Sequence, residues 1–523
     1  MQPFTVPELL ASNLRRGAAP ALVRADETVT YAELDERSRD AAARLRALGV
    51  TRGDRVCLHV PKSIDEVVLT YAIGRLGAVV VNINVIVTTR QLRHALRNSG
   101  ARVLLCTPRK AKAVLDGDAE IDGPWPDDLE QVVTVGGRLD DDRAVAFDEV
   151  EPVVGSDARL IGADPAFIMY TSGSTGQPKG VLLSHQTVVQ SARAAASHLH
   201  NRDDDRAIGV LPLSFDYGLS QLTTMALSGG TLVLPKATIP AEVLKTVDQH
   251  GVNALAMVPT MWIPLVRLLA EEGRVLDGVR YVANSGGPLP TDVQTAWPTV
   301  FPAARHYLMY GMTEGFRSTY LPPEDFARKP GSVGVPLPDV EIYIVDDETG
   351  LCVPGQAGQI IHRSASLISS GYYRNPEATA EKIAPCHHLA HLIGDEPVLY
   401  SGDTGRLDDD GYLFFEARTS TFIKCSDFRV SPTEVEDVIF SSGLVTDVVA
   451  FGRPDELLGQ VVHVAVTAAD GGEPDREGIL AHCKTTLPPY ATPRVIHHWE
   501  GATMPRTANG KVDRPTVIDR FSE

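Results

Sequence analysis

The chain has 523 residues, of which 43% are apolar and 22% charged, with 44 glycines and 36 prolines. That length exceeds what one hydrophobic core supports and fits roughly two to four domains, and the composition excludes disordered, collagen-like and coiled-coil chains. The 49 Lys and Arg against 67 Asp and Glu leave a net charge of −18, a field that repels nucleic acid and anionic membrane while leaving room for a local basic pocket.

The first residues, Met1-Gln2-Pro3-Phe4, lack the basic start of an export signal, and Pro3 and Pro7 are expected to interrupt any early apolar helix. The most apolar stretch, 67–87, carries Arg75, Asn82 and Asn84, each costly at a bilayer centre. It therefore reads as a helix followed by a buried strand, not a membrane span. Six cysteines, at 57, 106, 352, 386, 425 and 483, form no CxxC pair, and a reduced, cytoplasmic protein is the expectation.

Thr30 and Glu33 spell a capping box before an amphipathic run that stops at Gly49. A strand over 56–60, a helix over 63–76, a strand over 78–86, a helix over 88–98 and a strand over 103–106 follow. The rhythm recurs at 207–211, 231–235, 254–259 and 281–284. Short apolar runs between helices predict parallel sheets with helices on their faces. From 331 to 416 turn residues crowd in and the pattern becomes β-rich. A separate α+β unit follows, with helices over 432–440 and 477–487 and strands over 445–452 and 461–467. The expected fold is thus α/β: a large N-terminal domain over 1–418, with its β-rich part at about 331–416, and a small C-terminal domain over 419–523.

The most informative segment is Tyr170-Thr-Ser-Gly-Ser-Thr-Gly-Gln-Pro-Lys-Gly180, directly after the apolar run 166–169. Gly173 and Gly176 allow consecutive N–H groups to form an anion nest; Thr171, Ser172, Ser174 and Thr175 add hydroxyl donors, and Lys179 adds charge. The spacing is not that of a Walker loop.

This segment resembles the phosphate loop of the adenylate-forming (AMP-binding) superfamily, which includes acyl-CoA synthetases, stand-alone adenylation enzymes and luciferases. Further motifs follow in that family's order, so the resemblance covers essentially the whole chain. Ser285-Gly286-Gly287-Pro288-Leu289 resembles the adenine-side loop. Tyr310-Gly311-Met312-Thr313-Glu314 is similar to the motif whose Tyr stacks on adenine, with Thr near the α-phosphate and Glu on Mg²⁺. Asp403 stands where the family's ribose-binding carboxylate does, and Arg418 where its nucleotide-contacting arginine does. The run 505–513 resembles the closing loop that carries the catalytic lysine, here Lys511. The resemblance implies ATP and Mg²⁺ as cofactors, and a C-terminal module that turns after the first half-reaction to admit the acceptor. It also implies a small carboxylic acid as substrate, and a carrier-protein or CoA thiol as acceptor.

The acyl pocket implied by the same motifs is lined by Asp216, Tyr217, Ala283, Ser285, Met309, Arg317 and Ser318. In amino-acid-activating members an aspartate at the position of Asp216 pairs with the substrate ammonium. A guanidinium facing such a pocket needs a partner, and a carboxylate suits it best. The expected substrate is therefore an amino acid, aspartate-like or β-amino; an aromatic amino acid is an alternative, and so are an Arg317 that is paired with an internal acid or exposed and an Asp216 that only caps or turns its loop.

The sequence departs from the family at the acceptor channel, where Asp427 occupies a position usually held by Gly and Ser420 replaces the common hinge residue. Either the loop shifts, or the acceptor is not a thiol: an amine in an amide ligase, or nitrite chemistry on an aromatic amine in a diazotising enzyme. A catalytically silent nucleotide-binding homologue is the remaining alternative. Cys386, His387, His388 and His391 have metal-like composition and read as an exposed loop. No nucleic-acid or membrane partner is expected, and the chain is expected to be a monomer or a homodimer.

Overall fold

Two buried sheets with helices between them follow from the alternation of short apolar runs and amphipathic helices. The structure, a computed structural model, describes residues 2–522 apart from 123, 172–177, 419–422, 426–427, 456–458, 488 and 508–509. One sheet of seven strands orders Ala144–Ala146, Gln131–Thr134, Val103–Cys106, Arg55–His59, Val79–Asn82, Pro165–Thr171 and Lys179–Ser184; only the last pair is antiparallel. A nine-stranded sheet has a parallel centre, Arg305–Tyr310, Tyr281–Asn284, Ala254–Met257, Arg206–Ile208, Thr231–Val233 and Pro20–Arg24, with antiparallel strands at both edges.

The capping box forms as read: Thr30 Oγ1 accepts from Glu33 N, Glu33 returns to Thr30 N at 2.8 Å, and the helix Tyr31–Ala47 follows. The helix Ile64–Arg75 is buried from Glu66 onward because it is apolar all round, and its end charge is met by Asp35 and Asp157. The strand after it is shorter than expected. It ends at Asn82, whose amide donates to the buried Glu66 at 3.0 Å. Pro7 does not interrupt the first helix, Val6–Ala11; it sits in the first turn, where a missing N–H costs nothing.

The β-rich part is an all-antiparallel sheet built on Pro397–Leu407, which pairs with Gly358–Arg363, Ile383–Pro385 and Leu413–Arg418. The cysteine–histidine cluster is not an exposed loop. It follows the edge strand Ile383–Pro385 as two short helical turns, with Cys386 and Leu389 buried. Among the described residues no group of three His, Cys, Asp or Glu is placed to hold a metal, Cys57, Cys106, Cys352, Cys386 and Cys483 are free thiols, and no helix is long and apolar enough to cross a membrane.

In the C-terminal unit the long hairpin Val445–Asp455 and Gly459–Ala468 is covered on one face by the helices Pro432–Ser441 and Arg476–Thr486. Its other face carries Phe451, Trp499 and Phe521 beneath the helix Arg514–Arg520. This unit rests on the helix Pro259–Glu271, where Ile263 packs against its core and the Arg267 guanidinium lies 5.1 Å from the Phe440 ring centre.

Candidate active site

The parallel strands Tyr281–Asn284 and Arg305–Tyr310 end side by side, and ligand sites in such sheets form beyond the carboxyl ends of strands. The chain leaving Tyr310 folds back on itself. A Cβ at Gly311 would lie 2.2 Å from Phe316 O, Phe316 takes φ +50°, and Ser318 N donates to Tyr310 O at 2.9 Å. His362 pins the loop from behind: its Nδ1 is 3.0 Å from Ser318 Oγ, and a Cβ at Gly315 would strike it. Ser318 is fully buried with its hydroxyl engaged there, so it does not serve the pocket as a free donor.

The residues that the resemblance sets on the nucleotide side form two groups. Tyr310 Oη donates to Asp403 Oδ2 at 2.7 Å, and Arg418 lies opposite Asp403 in the strand register. Glu314 Oε1 accepts from Tyr372 Oη at 2.5 Å, and the same tyrosine ring sits 5.4 Å from Lys179 Nζ. Thr171 pairs with Lys179 across the hairpin that carries the phosphate loop. Ser172, Gly173, Ser174, Thr175 and Gly176 lie outside the described residues, as do Ser420 and Asp427. Thr313 is buried in the folded loop. Asn284 Nδ2 donates to Gly287 O at 3.0 Å, and Pro288 is exposed beside it. Glu314 has the donor chemistry a hard divalent ion takes, a carboxylate with one oxygen fixed by a phenol.

Two of the residues expected to line the acyl pocket, Asp216 and Tyr217, open the helix Asp216–Ser228. Gln221 Nε2 fastens it over two strand ends, donating to Ile208 O and Ala256 O at 3.0 and 2.8 Å. Gly218 is required where Pro212 O would lie 2.0 Å from any Cβ, which lets the preceding loop fold onto the first turn. Tyr217 Oη and Trp262 Nε1 both donate to Ala283 O, at 3.3 and 3.2 Å. Met309 is buried in its strand, and Ser285 is half-buried just past the neighbouring one.

Lys511 reaches this region from the C-terminal unit. Its Nζ lies 5.8 Å from the Phe215 ring centre, and its Cε approaches within 3.5 Å of where a Cβ on Gly286 would be, a residue at φ +82°. Burial pushes the Asp216 carboxyl up to about 6, opposed by the nearby Lys511 and by the Tyr217 N–H it accepts. Arg317 is 6% exposed. It donates to His198 Nε2 and Ser220 Oγ and lies over the Tyr217 ring. The internal acid partner left open by the sequence is not found among the described residues.

Sequence reasoning missed Tyr372, His362, Ser220 and His198. Ser220 had a signal, since it lies four residues beyond Asp216 on one helix face. His198, 119 positions from Arg317, had none.

A family model described as AMP-binding enzyme matches residues 10–373, and one described as AMP-binding enzyme C-terminal domain matches 434–511. A feruloyl-CoA synthase of Amycolatopsis sp is 31% identical over 508 residues, 96% of each chain. The 4-coumarate–CoA ligase 5 of Oryza sativa subsp. japonica is 30% identical over 85% of this chain and 81% of that one. Among solved structures, the o-succinylbenzoate CoA synthetase of Bacillus subtilis with its acyl-adenylate intermediate superposes with TM-score 0.83 at 27% identity, over 98% of both chains. The amide bond synthetase McbA from Marinactinospora thermotolerans does so with TM-score 0.84 at 25% identity, over 99% of this chain and all of that one.

The chain belongs to the AMP-binding enzymes. It is an ATP-dependent, AMP-forming ligase that activates a carboxylic acid as an acyl-adenylate.

Two outcomes follow from this geometry. Gly311→Ala forces the loop off Phe316 and is expected to cut adenylation at least about 100-fold with the remaining fold intact, read by pyrophosphate exchange and circular dichroism. Asp216 has a raised carboxyl, so its stabilising contribution is full below about pH 4 and lost as pH rises through 6. Asp216→Asn should therefore raise the unfolding free energy at pH 8, by up to about 3 kcal/mol, and the gain should vanish by about pH 4 in denaturant titrations.

Proposed function

We propose that this ligase activates a small amino-bearing acid with a second carboxylate, aspartate-like or β-amino, and transfers it to a thiol of CoA or of a carrier protein. The observation that carries this reading is the pair of opposite buried charges at the acyl end, Asp216 and Arg317, with Lys511 close to the first. Asp216 suits an ammonium, Arg317 the distal carboxylate, and Lys511 the carboxylate that reacts. An oxygen of that carboxylate attacks the α-phosphorus; the new P–O bond forms as the bond to pyrophosphate breaks. The two anions repel, so the reaction needs fixed positive charge where they meet. Lys511 and Lys179 would supply it, with Thr313 beside the α-phosphate as the resemblance implies. Tyr310 and Asp403 hold adenine and ribose, with Arg418 opposite on the next strand.

Mg²⁺ would be held by Glu314 together with the nucleotide's phosphates, and when bound it spreads their charge. In the second half-reaction the thiolate attacks the acyl carbon and AMP leaves. A second reading, an amine acceptor and an amide product, is favoured by the sequence, in which Asp427 stands where the resemblance implies an acceptor-channel Gly, and by the likeness to an amide bond synthetase.

Labelled pyrophosphate exchange into ATP across aspartate and β-amino acids, aromatic amino acids, fatty acids, and nitrite with an aromatic amine tests the reading. Exchange should peak on a dicarboxylic amino acid; silence with every carboxylate, with turnover on nitrite and amine, sinks it. Lys511→Ala should lower exchange by roughly 10²–10³ while the melting midpoint stays put, and unchanged turnover would remove Lys511 from the chemistry.

A further inference from the structure

Arg317 is held by neutral groups. Its Nη1 is 3.3 Å from His198 Nε2 and its Nη2 is 3.3 Å from Ser220 Oγ, with the guanidinium carbon 5.4 Å from the Tyr217 ring centre. Among the described residues no carboxylate comes within ion-pair distance of it, although Asp216 is near enough to be felt. A buried guanidinium ordinarily sits against an acid, because an uncompensated charge in a low-dielectric interior is expensive.

The histidine's protonation can be assigned from its surroundings. Its Nδ1 lies 2.6 Å from Ala194 O on the same helix, His185–Leu199. A carbonyl oxygen only accepts, so Nδ1 carries the proton and Nε2 presents a lone pair to Arg317. Burial and the neighbouring guanidinium hold the imidazole well below its usual range, so the ring stays neutral. Stacking on Tyr320, at 4.8 Å between ring centres, and an edge contact with Tyr307 at 6.1 Å fix its plane. The ring therefore orients the guanidinium without cancelling its charge.

We propose that His198 is a positioning residue that sets the charge selectivity of the acyl pocket, orienting Arg317 with a lone pair where an acid would neutralise it and so reserving the guanidinium for an anionic group on the substrate. This rests on the reading of Arg317 as the partner of the distal carboxylate. The same chemistry makes the site discriminate against an uncharged amide of the same shape, which would leave the guanidinium buried and unpaired.

The test compares pyrophosphate exchange on aspartate against asparagine, and glutamate against glutamine, in the full-length protein and in His198→Gln, His198→Glu and His198→Leu. The unsubstituted enzyme should favour one acid over its amide by on the order of 10² in kcat/KM. His198→Gln supplies another neutral acceptor and should keep that ratio within about threefold. His198→Glu should pair Arg317 internally and lower the ratio at least about tenfold, through a higher KM for the acid with kcat on the amide unchanged. Should the glutamate variant fail to melt cooperatively, His198→Leu, which removes the acceptor while keeping the bulk, should raise KM for the acid about tenfold and leave kcat within about twofold. A ratio that survives both substitutions overturns the role of His198 and leaves the Arg317 reading standing. An unsubstituted enzyme that treats acid and amide alike overturns the Arg317 reading, and this inference with it.

Discussion

The structure turns on the approach of one lysine from the C-terminal unit to a carboxylate of the N-terminal domain. Lys511 passes over Gly286 and comes to Phe215 and Asp216. A glycine at φ +82° makes the turn after the strand Tyr281–Asn284, a backbone conformation that other residues rarely adopt. Phe215 adds an aromatic face, which attracts an ammonium without consuming its hydrogen-bonding capacity.

The lysine is delivered by a short hairpin whose own unit holds it firmly. Thr507 N donates to Lys511 O at 2.7 Å, Gly510 N to Thr507 O at 2.9 Å, and Arg506 pairs as a bridge with Val512. The base of the hairpin is tied to Asp447, a buried carboxylate that accepts from Met504 N at 3.0 Å and pairs with Arg506. Rigidity thus lies within each unit: the Gly311–Ser318 loop is clamped by His362 on one side, and the lysine hairpin by Asp447 on the other.

Much of the fold was legible in the sequence, and the residues expected to form the site stand in short contiguous motifs. Tyr310 and Asp403 lie 93 positions apart yet meet, and both were marked by their own local patterns. The alternation of apolar runs and helices gave the parallel sheets, since a strand buried on both faces must be apolar throughout. What stayed hidden were single side chains whose meaning comes from a distant partner. Tyr372 looks like one aromatic among turn residues until its phenol is seen on Glu314, and His198 looks like a helix residue until Arg317 is seen beside it. Pro7 misled for a local reason, because its place in a first turn depends on the Thr5 cap just before it.

The contact between the two units is built differently from their interiors. It includes one aliphatic side chain, Ile263, and one guanidinium over an aromatic ring, Arg267 on Phe440. On the same side the helices Thr291–Val300 and Pro432–Ser441 bring Asp292 towards Asp437. Burial, then Glu436 and Asp292, push the Asp437 carboxyl up to about 7, so this placement is favoured below that pH and opposed as the carboxyl ionises above it. Ionisation of Asp437 beside Asp292 therefore weakens this contact as pH rises.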